Sequence, residues 1–279
     1  MVRKARCVAT AAAVTGSAAL ALSLAAPANA EPLRTQPGTQ AVICDYTPPA
    51  QQQQQSAIDA RYDSEPDLQQ RLGAPVADEV RDGDVAYREY EHGRLYWTAE
   101  TWVHETYGDI LAKFLEQGGH PAFGVPLTDE CGTADGNGRY NHFTGTEETG
   151  LSSVYWRPDV GANLISGPVR EHWEASGWET GTYGFPVSDT RPAGENGLFS
   201  DFEGDDGFGA SIHFSPESGT HGTKGAIRDH WLGLGGTGSY LGFPVSDEYD
   251  VPEGKRSDFQ GGHIVFNTET GEVIDVPAS

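Results

Sequence analysis

Leu241-Gly242-Phe243-Pro244-Val245-Ser246-Asp247-Glu248 decides the fold, because the chain writes versions of it four times. The other copies open as Leu72-Gly73-Ala74-Pro75, Phe123-Gly124-Val125-Pro126 and Tyr183-Gly184-Phe185-Pro186, with prolines 51, 60 and 58 residues apart. An apolar residue, a small residue and an aspartate follow each time: Val76-Ala77-Asp78, Leu127-Thr128-Asp129, Val187-Ser188-Asp189 and Val245-Ser246-Asp247. Glycine two residues before proline predicts a turn whose backbone a side chain would disfavour. Self-similarity at this period signals stacked supersecondary units.

Upstream of each turn the spacing predicts a short helix. An aliphatic residue is followed four positions later by an aromatic: Ile58/Tyr62, Ile110/Phe114, Val169/Trp173 and Ile227/Trp231. That spacing puts both on one helix face, toward a core. Gly108, Gly167 and Gly225 stand where helices begin. Downstream come two short strands. The first ends at Tyr90, Phe143, Phe202 or Phe259; the second carries Leu95-Tyr96-Trp97, Val154-Tyr155-Trp156, Ile212-His213-Phe214 or Ile264-Val265-Phe266. Glycine-rich turns between them predict hairpins. One unit is therefore helix, proline turn, hairpin and return turn, with units at about 56–107, 108–166, 167–224 and 225–279. The expected fold is α+β and β-rich: four tandem helix–β-hairpin repeats closing into a pseudo-fourfold ring, or else a short solenoid.

The residues before the repeats read differently. Arg3, Lys4 and Arg6 precede an uncharged apolar run over residues 8–26, and Ala28-Asn29-Ala30 supplies small cleavage residues. This predicts a signal peptide over 1–30, with an anchoring helix as the alternative. Residues 31–55 are proline- and glutamine-rich and predict an extended arm. Removing the signal takes the net charge from −23 to −26. Such acidity argues against nucleic acid and anionic lipid as partners and for a soluble monomer. No later apolar run is long enough for membrane insertion. Cys44 and Cys131 remain, and an even pair in an exported chain predicts a disulfide, with two buried thiols as the alternative. The bond would close 87 residues, which chain entropy values at about 4 kcal/mol.

The eight residues from Leu241, with Asp258-Phe259-Gln260-Gly261-Gly262 and Gly225-Ala226-Ile227-Arg228-Asp229-His230-Trp231, resemble the LGFP-repeat family of exported actinobacterial proteins. The likeness covers about residues 56–279. The first unit departs most, with Ala74 for the phenylalanine and Trp102 where later units have Gly161, Gly219 and Gly271. The resemblance implies attachment to the cell envelope through arabinogalactan or peptidoglycan. Relatives often carry the repeats behind a mycoloyltransferase, esterase or amidase, and this chain shows no such domain.

Catalytic motifs are missing from the sequence. There is no nucleophile elbow and no zinc-binding His-Glu-x-x-His helix, and no cofactor or metal is expected. Gly233, Gly235 and Gly238 match a dinucleotide fingerprint but follow a helix, which predicts a helix-ending loop. The repeated Asp-Glu pairs could serve as glycosidase carboxylates, yet neighbours on an extended chain point to opposite sides. Asp78, Asp129, Asp189 and Asp247 read as acceptors for backbone N–H groups, or as acceptors for sugar hydroxyls. Trp102, His104, Asn163, Trp178 and His221 fall between units and are the further glycan-binding candidates; three of them, His104, Asn163 and His221, are equivalent, which fits a repeated structural bond equally well. The function expected is non-catalytic binding of wall polysaccharide through repeated weak sites, which gain by avidity. The alternatives are an envelope ester or glycan hydrolase with a site at the ring centre, and a structural or protein-interaction module.

Overall fold

The computed structural model describes residues 55–279. The expected signal, the arm up to residue 54 and Cys44 lie outside the described residues, as does any bond from Cys44 to Cys131, which is buried.

Numbered in chain order, the first repeat holds α1 (Ala57–Ser64), α2 (Pro66–Leu72), β1 (Val80–Asp82), β2 (Val85–Glu89), β3 (Gly93–Thr98) and β4 (Trp102–Tyr107). The second holds α3 (Gly108–Glu116), α4 (Gly119–Phe123), β5 (Cys131–Gly132), β6 (Arg139–Thr146), β7 (Gly150–Arg157) and β8 (Gly161–Ser166). The third holds α5 (Gly167–Ala175), β9 (Arg191–Ala193), β10 (Gly197–Phe202), β11 (Ala210–Ser215) and β12 (Gly219–Lys224). The fourth holds α6 (Gly225–Leu234), β13 (Tyr249–Val251), β14 (Gly254–Phe259), β15 (Gly262–Asn267) and β16 (Val273–Pro277).

Each repeat thus builds a four-stranded sheet in sequence order, where the pattern predicted two strands. Strands pair antiparallel in each sheet, as β1 with β2, β7 with β8, β11 with β12 and β15 with β16. The first strand is only two or three residues long and the fourth lies in the expected return turn, so neither carries the alternation that marks a strand. The fold is α+β and β-rich, as expected.

The described chain divides into two compact units. One joins the first repeat, up to Thr106, to Val125–Cys131, the proline turn of the second repeat; the other is Tyr107–Gly124 with Gly132–Ser279. Local chemistry fixes the elements. Ser56 caps α1 by accepting from the Asp59 N–H at 3.1 Å. Gly108, Gly167 and Gly225 take φ of +56°, +57° and +52°, the left-handed bend that turns each fourth strand into the next helix. Glycine of the proline turn has φ between +68° and +73° in all four copies. A Cβ on Gly242 would stand 2.5 Å from Gln260 Oε1. The helix aromatic ties this turn down. Tyr62 OH donates to Gly73 O at 2.6 Å, Trp173 Nε1 to Gly184 O at 3.0 Å and Trp231 Nε1 to Gly242 O at 3.2 Å.

In the larger unit α5 and α6 also cover the preceding sheet. Trp173, fully buried, meets Tyr155 of β7 edge-on at 4.7 Å and Phe202 of its own β10 at 5.5 Å. Trp231 repeats this between His213 and Phe259, at 4.8 and 5.5 Å. A single helix therefore closes two cores, which is why the units occur in tandem.

Candidate functional site

The repeated aspartates sit in joints between consecutive repeats. In the first joint, Arg61 of α1 donates to both carboxylate oxygens of Asp129, at 2.8 and 2.7 Å. The Glu105 N–H of β4 donates to the same carboxylate at 3.0 Å, and His104 Nδ1 lies 3.2 Å away. In the second joint, Asp189 accepts from the Leu164 N–H of β8 at 2.8 Å and from Lys113 and Gln117 at 3.1 Å each. In the third, Asp247 accepts from the Gly222 N–H of β12 at 2.8 Å and from Tyr183 OH at 3.2 Å, with His172 at 3.1 Å and His221 at 3.9 Å. Arg61, Lys113 and His172 are equivalent, each three residues after the aliphatic marker of its helix. The pattern is a clamp: a basic helix residue and a fourth-strand N–H of one repeat hold the aspartate of the next.

The two ends follow from this. Asp78 has no preceding repeat; it is exposed and makes no hydrogen bond among the described residues. His230, at the same place in α6, pairs with Asp275 of its own β16 at 2.7 Å.

Electrostatics differ between joints. Burial pushes the Asp129 carboxyl up, but the bonds from His104 and Arg61 outweigh it and hold the group well below the usual carboxylate range. Burial, and then the charge of Asp129, push Glu105 up to about 7 against the pull of Arg71. Burial likewise opposes ionisation of Asp247, and the His172 and Gly222 bonds overcome it.

His104, Asn163 and His221 lie in fourth strands and face these joints. His104 is buried against Asp129. Asn163 is buried and donates to Pro186 O at 3.1 Å. His221 pairs with Ser218 O at 3.0 Å. Trp178 sits in a 3-10 turn with Trp173 at 5.1 Å, His142 at 5.1 Å and the Arg170 guanidinium over its ring at 4.9 Å. Trp102 is the exception: it opens β4, is 37% exposed and has no aromatic partner among the described residues. Trp102 (φ +65°) and Trp178 (φ +58°) are the two non-glycine residues with positive φ among the described residues. At the Trp102 position the other repeats have Gly161, Gly219 and Gly271, at φ +87°, +79° and +74°.

A groove not anticipated from the sequence opens beside the third joint. It encloses about 240 Å³ and is lined by Phe243, Gln260, Ser215 and the turn residues Glu195, Asn196 and Glu217. Gly197 lets the ring in, since a Cβ there would stand 2.5 Å from Phe243 Cζ. The equivalent place in the second joint is filled. Arg157, which corresponds to Ser215, lies over Phe185 with its guanidinium carbon 4.7 Å from the ring centre. It also bonds Asp159 at 2.7 Å and Glu203 at 2.9 Å. Aligning the repeats would have shown the Arg157/Ser215 exchange, but which residues flank it needed the fold.

Comparison with protein families now fixes the relationship. The LGFP repeat matches residues 72–121, 123–181, 184–239 and 241–274. The chain belongs to the LGFP-repeat family. A comparison with curated proteins found no match. In this LGFP-repeat chain the matches begin at or one residue after the start of each Leu-Gly-Phe-Pro-type turn, so each of the first three is completed by the helix of the following unit. The clamps and the shared cores lie across that frame.

Proposed function

We propose that this protein is a secreted, non-catalytic module that holds to cell-wall polysaccharide, an arabinogalactan- or peptidoglycan-like glycan, as a monomer. Trp102 carries this reading. A left-handed backbone costs a residue with a Cβ about 1–2 kcal/mol, and three repeats avoid that cost with glycine. The first repeat keeps an exposed indole there, free to stack on the C–H face of a sugar. For the arrangement of the repeats we keep the pseudo-fourfold ring and the short solenoid as alternatives, since serial joints suit both.

The test is sedimentation of the mature protein with insoluble wall material, alongside assays for ester and glycan hydrolysis. Retention without turnover is expected. Turnover would favour the envelope hydrolase, and neither retention nor turnover would leave the structural or protein-interaction module.

A further inference from the structure

The groove at the third joint and the filled place at the second are one site in two states of occupancy. Phe185 corresponds to Phe243, Asp159 to Glu217, Glu203 to Gln260, and Arg157 to Ser215. At the second joint the guanidinium of Arg157 lies on the aromatic ring and bonds carboxylates on two sides. At the third joint the ring, an acid on the same turn and a polar group opposite are all present, and the serine stands beside a groove of about 240 Å³ that the ring lines. Glu195, where the second joint has Gly136, restores the second carboxylate. Neither Glu195 nor Glu217 has an ion-pair partner among the described residues.

We propose that this groove is a socket for a guanidinium group, namely the arginine side chain of a partner polypeptide. The inference stands apart from the glycan reading, which rests on Trp102 in the other unit. A planar cation can cover the face of Phe243 while its edges donate to Glu217 and Glu195, beside Gln260, whose Oε1 already accepts from the Phe243 N–H at 3.0 Å. A compact ammonium lacks the flat face and the fork of donors, so lysine fills the socket less well. The occupant of the second joint shows the geometry that such a ligand would take.

The test titrates the isotopically labelled mature chain with a blocked tripeptide, glycine-arginine-glycine, following backbone amide resonances. Saturable shifts are expected at Gly197, Phe243 and Gln260. The citrulline peptide, equal in shape but neutral, should bind at least tenfold more weakly. S215R copies the second joint and should abolish binding. R157S empties the second socket and should raise the stoichiometry from one to two, with new shifts at Gly138 and Phe185. If R157S fails to fold, E217Q provides the second arm and should weaken binding several-fold. Equal binding of the citrulline peptide, unchanged binding by S215R, or a folded R157S that still takes one peptide would overturn the proposal. So would a glucosamine oligomer that occupies the groove more tightly than the arginine peptide, since the source would then be a sugar amine.

Discussion

The first and third joints are assembled from the same parts and differ in depth. Each sets an aspartate against a fourth-strand N–H, a helix cation and a histidine. Around Asp129 the cation is a permanently charged arginine whose side chain is 3% exposed, and the aspartate side chain is 11% exposed. Around Asp247 the cation is a histidine, charged only when protonated, and the aspartate side chain is 49% exposed. One sequence signature therefore makes two devices. The deep one fixes its repeats through an ion pair that neither partner can leave; the shallow one leaves water to do part of the solvation.

The sharpest way to break this comparison is D129N. It leaves the buried Arg61 guanidinium without its counter-charge, and the expected loss is about 3–5 kcal/mol. Chemical denaturation should show it, and a loss below that of D247N would erase the distinction between the joints. G242V strikes the turn beside the third joint, where φ is +68° and a Cβ would meet Gln260. A loss of about 2–3 kcal/mol is expected, and an unchanged melting temperature would show that the turn relaxes freely.

The first joint should also carry a pH signature of its own, set by Glu105. Glu105 is raised to about 7, so its contribution is fully present below the ordinary carboxylate pKa and is lost as pH rises through about 7. The stability of the first joint should therefore decline between about pH 5 and pH 8. Asp129 has the opposite sign: its contribution is present above the ordinary carboxylate pKa and is lost as pH falls. E105Q should melt with wild type at pH 5 and above it at pH 8, by the equivalent of about 2 kcal/mol. A gap as large at pH 5 would sink the assignment. The smallest stability effect belongs to D247N, at about 1 kcal/mol or less for a half-exposed acid, read by the same denaturation.

Much of the fold was legible because repetition multiplies weak signals. The Ile227/Trp231 spacing, the glycine at position 242 and the hairpin around Gly261 each recur, and the structure has a helix, a left-handed turn and paired strands in those places. The fourth strands were not legible. Gly-Thr-His-Gly-Thr-Lys of β12 has no apolar alternation, because its N–H groups and small residues face the next repeat's clamp and its Tyr183 turn, not an oily core. The clamp left a trace that reading within one unit misses. Arg61, Lys113 and His172 recur at one helix position, and their partners lie a whole repeat downstream. His104, Asn163 and His221 were visible as equivalents, and the structure sets all three at joints. Trp102 was visible as a departure from glycine, but its left-handed backbone and partly exposed ring were not.

Wall retention of W102G beside D247N tests the central claim most directly, namely that joint residues hold the repeats together while the exposed indole holds the glycan. W102G relaxes a strained backbone and removes a partly exposed ring, so its stability should stay within about 1 kcal/mol of wild type while most of its sedimentation with insoluble wall glycan is lost. D247N should sediment like wild type once shown to be folded. Full retention by W102G, or loss of retention by a folded D247N, would contradict the account.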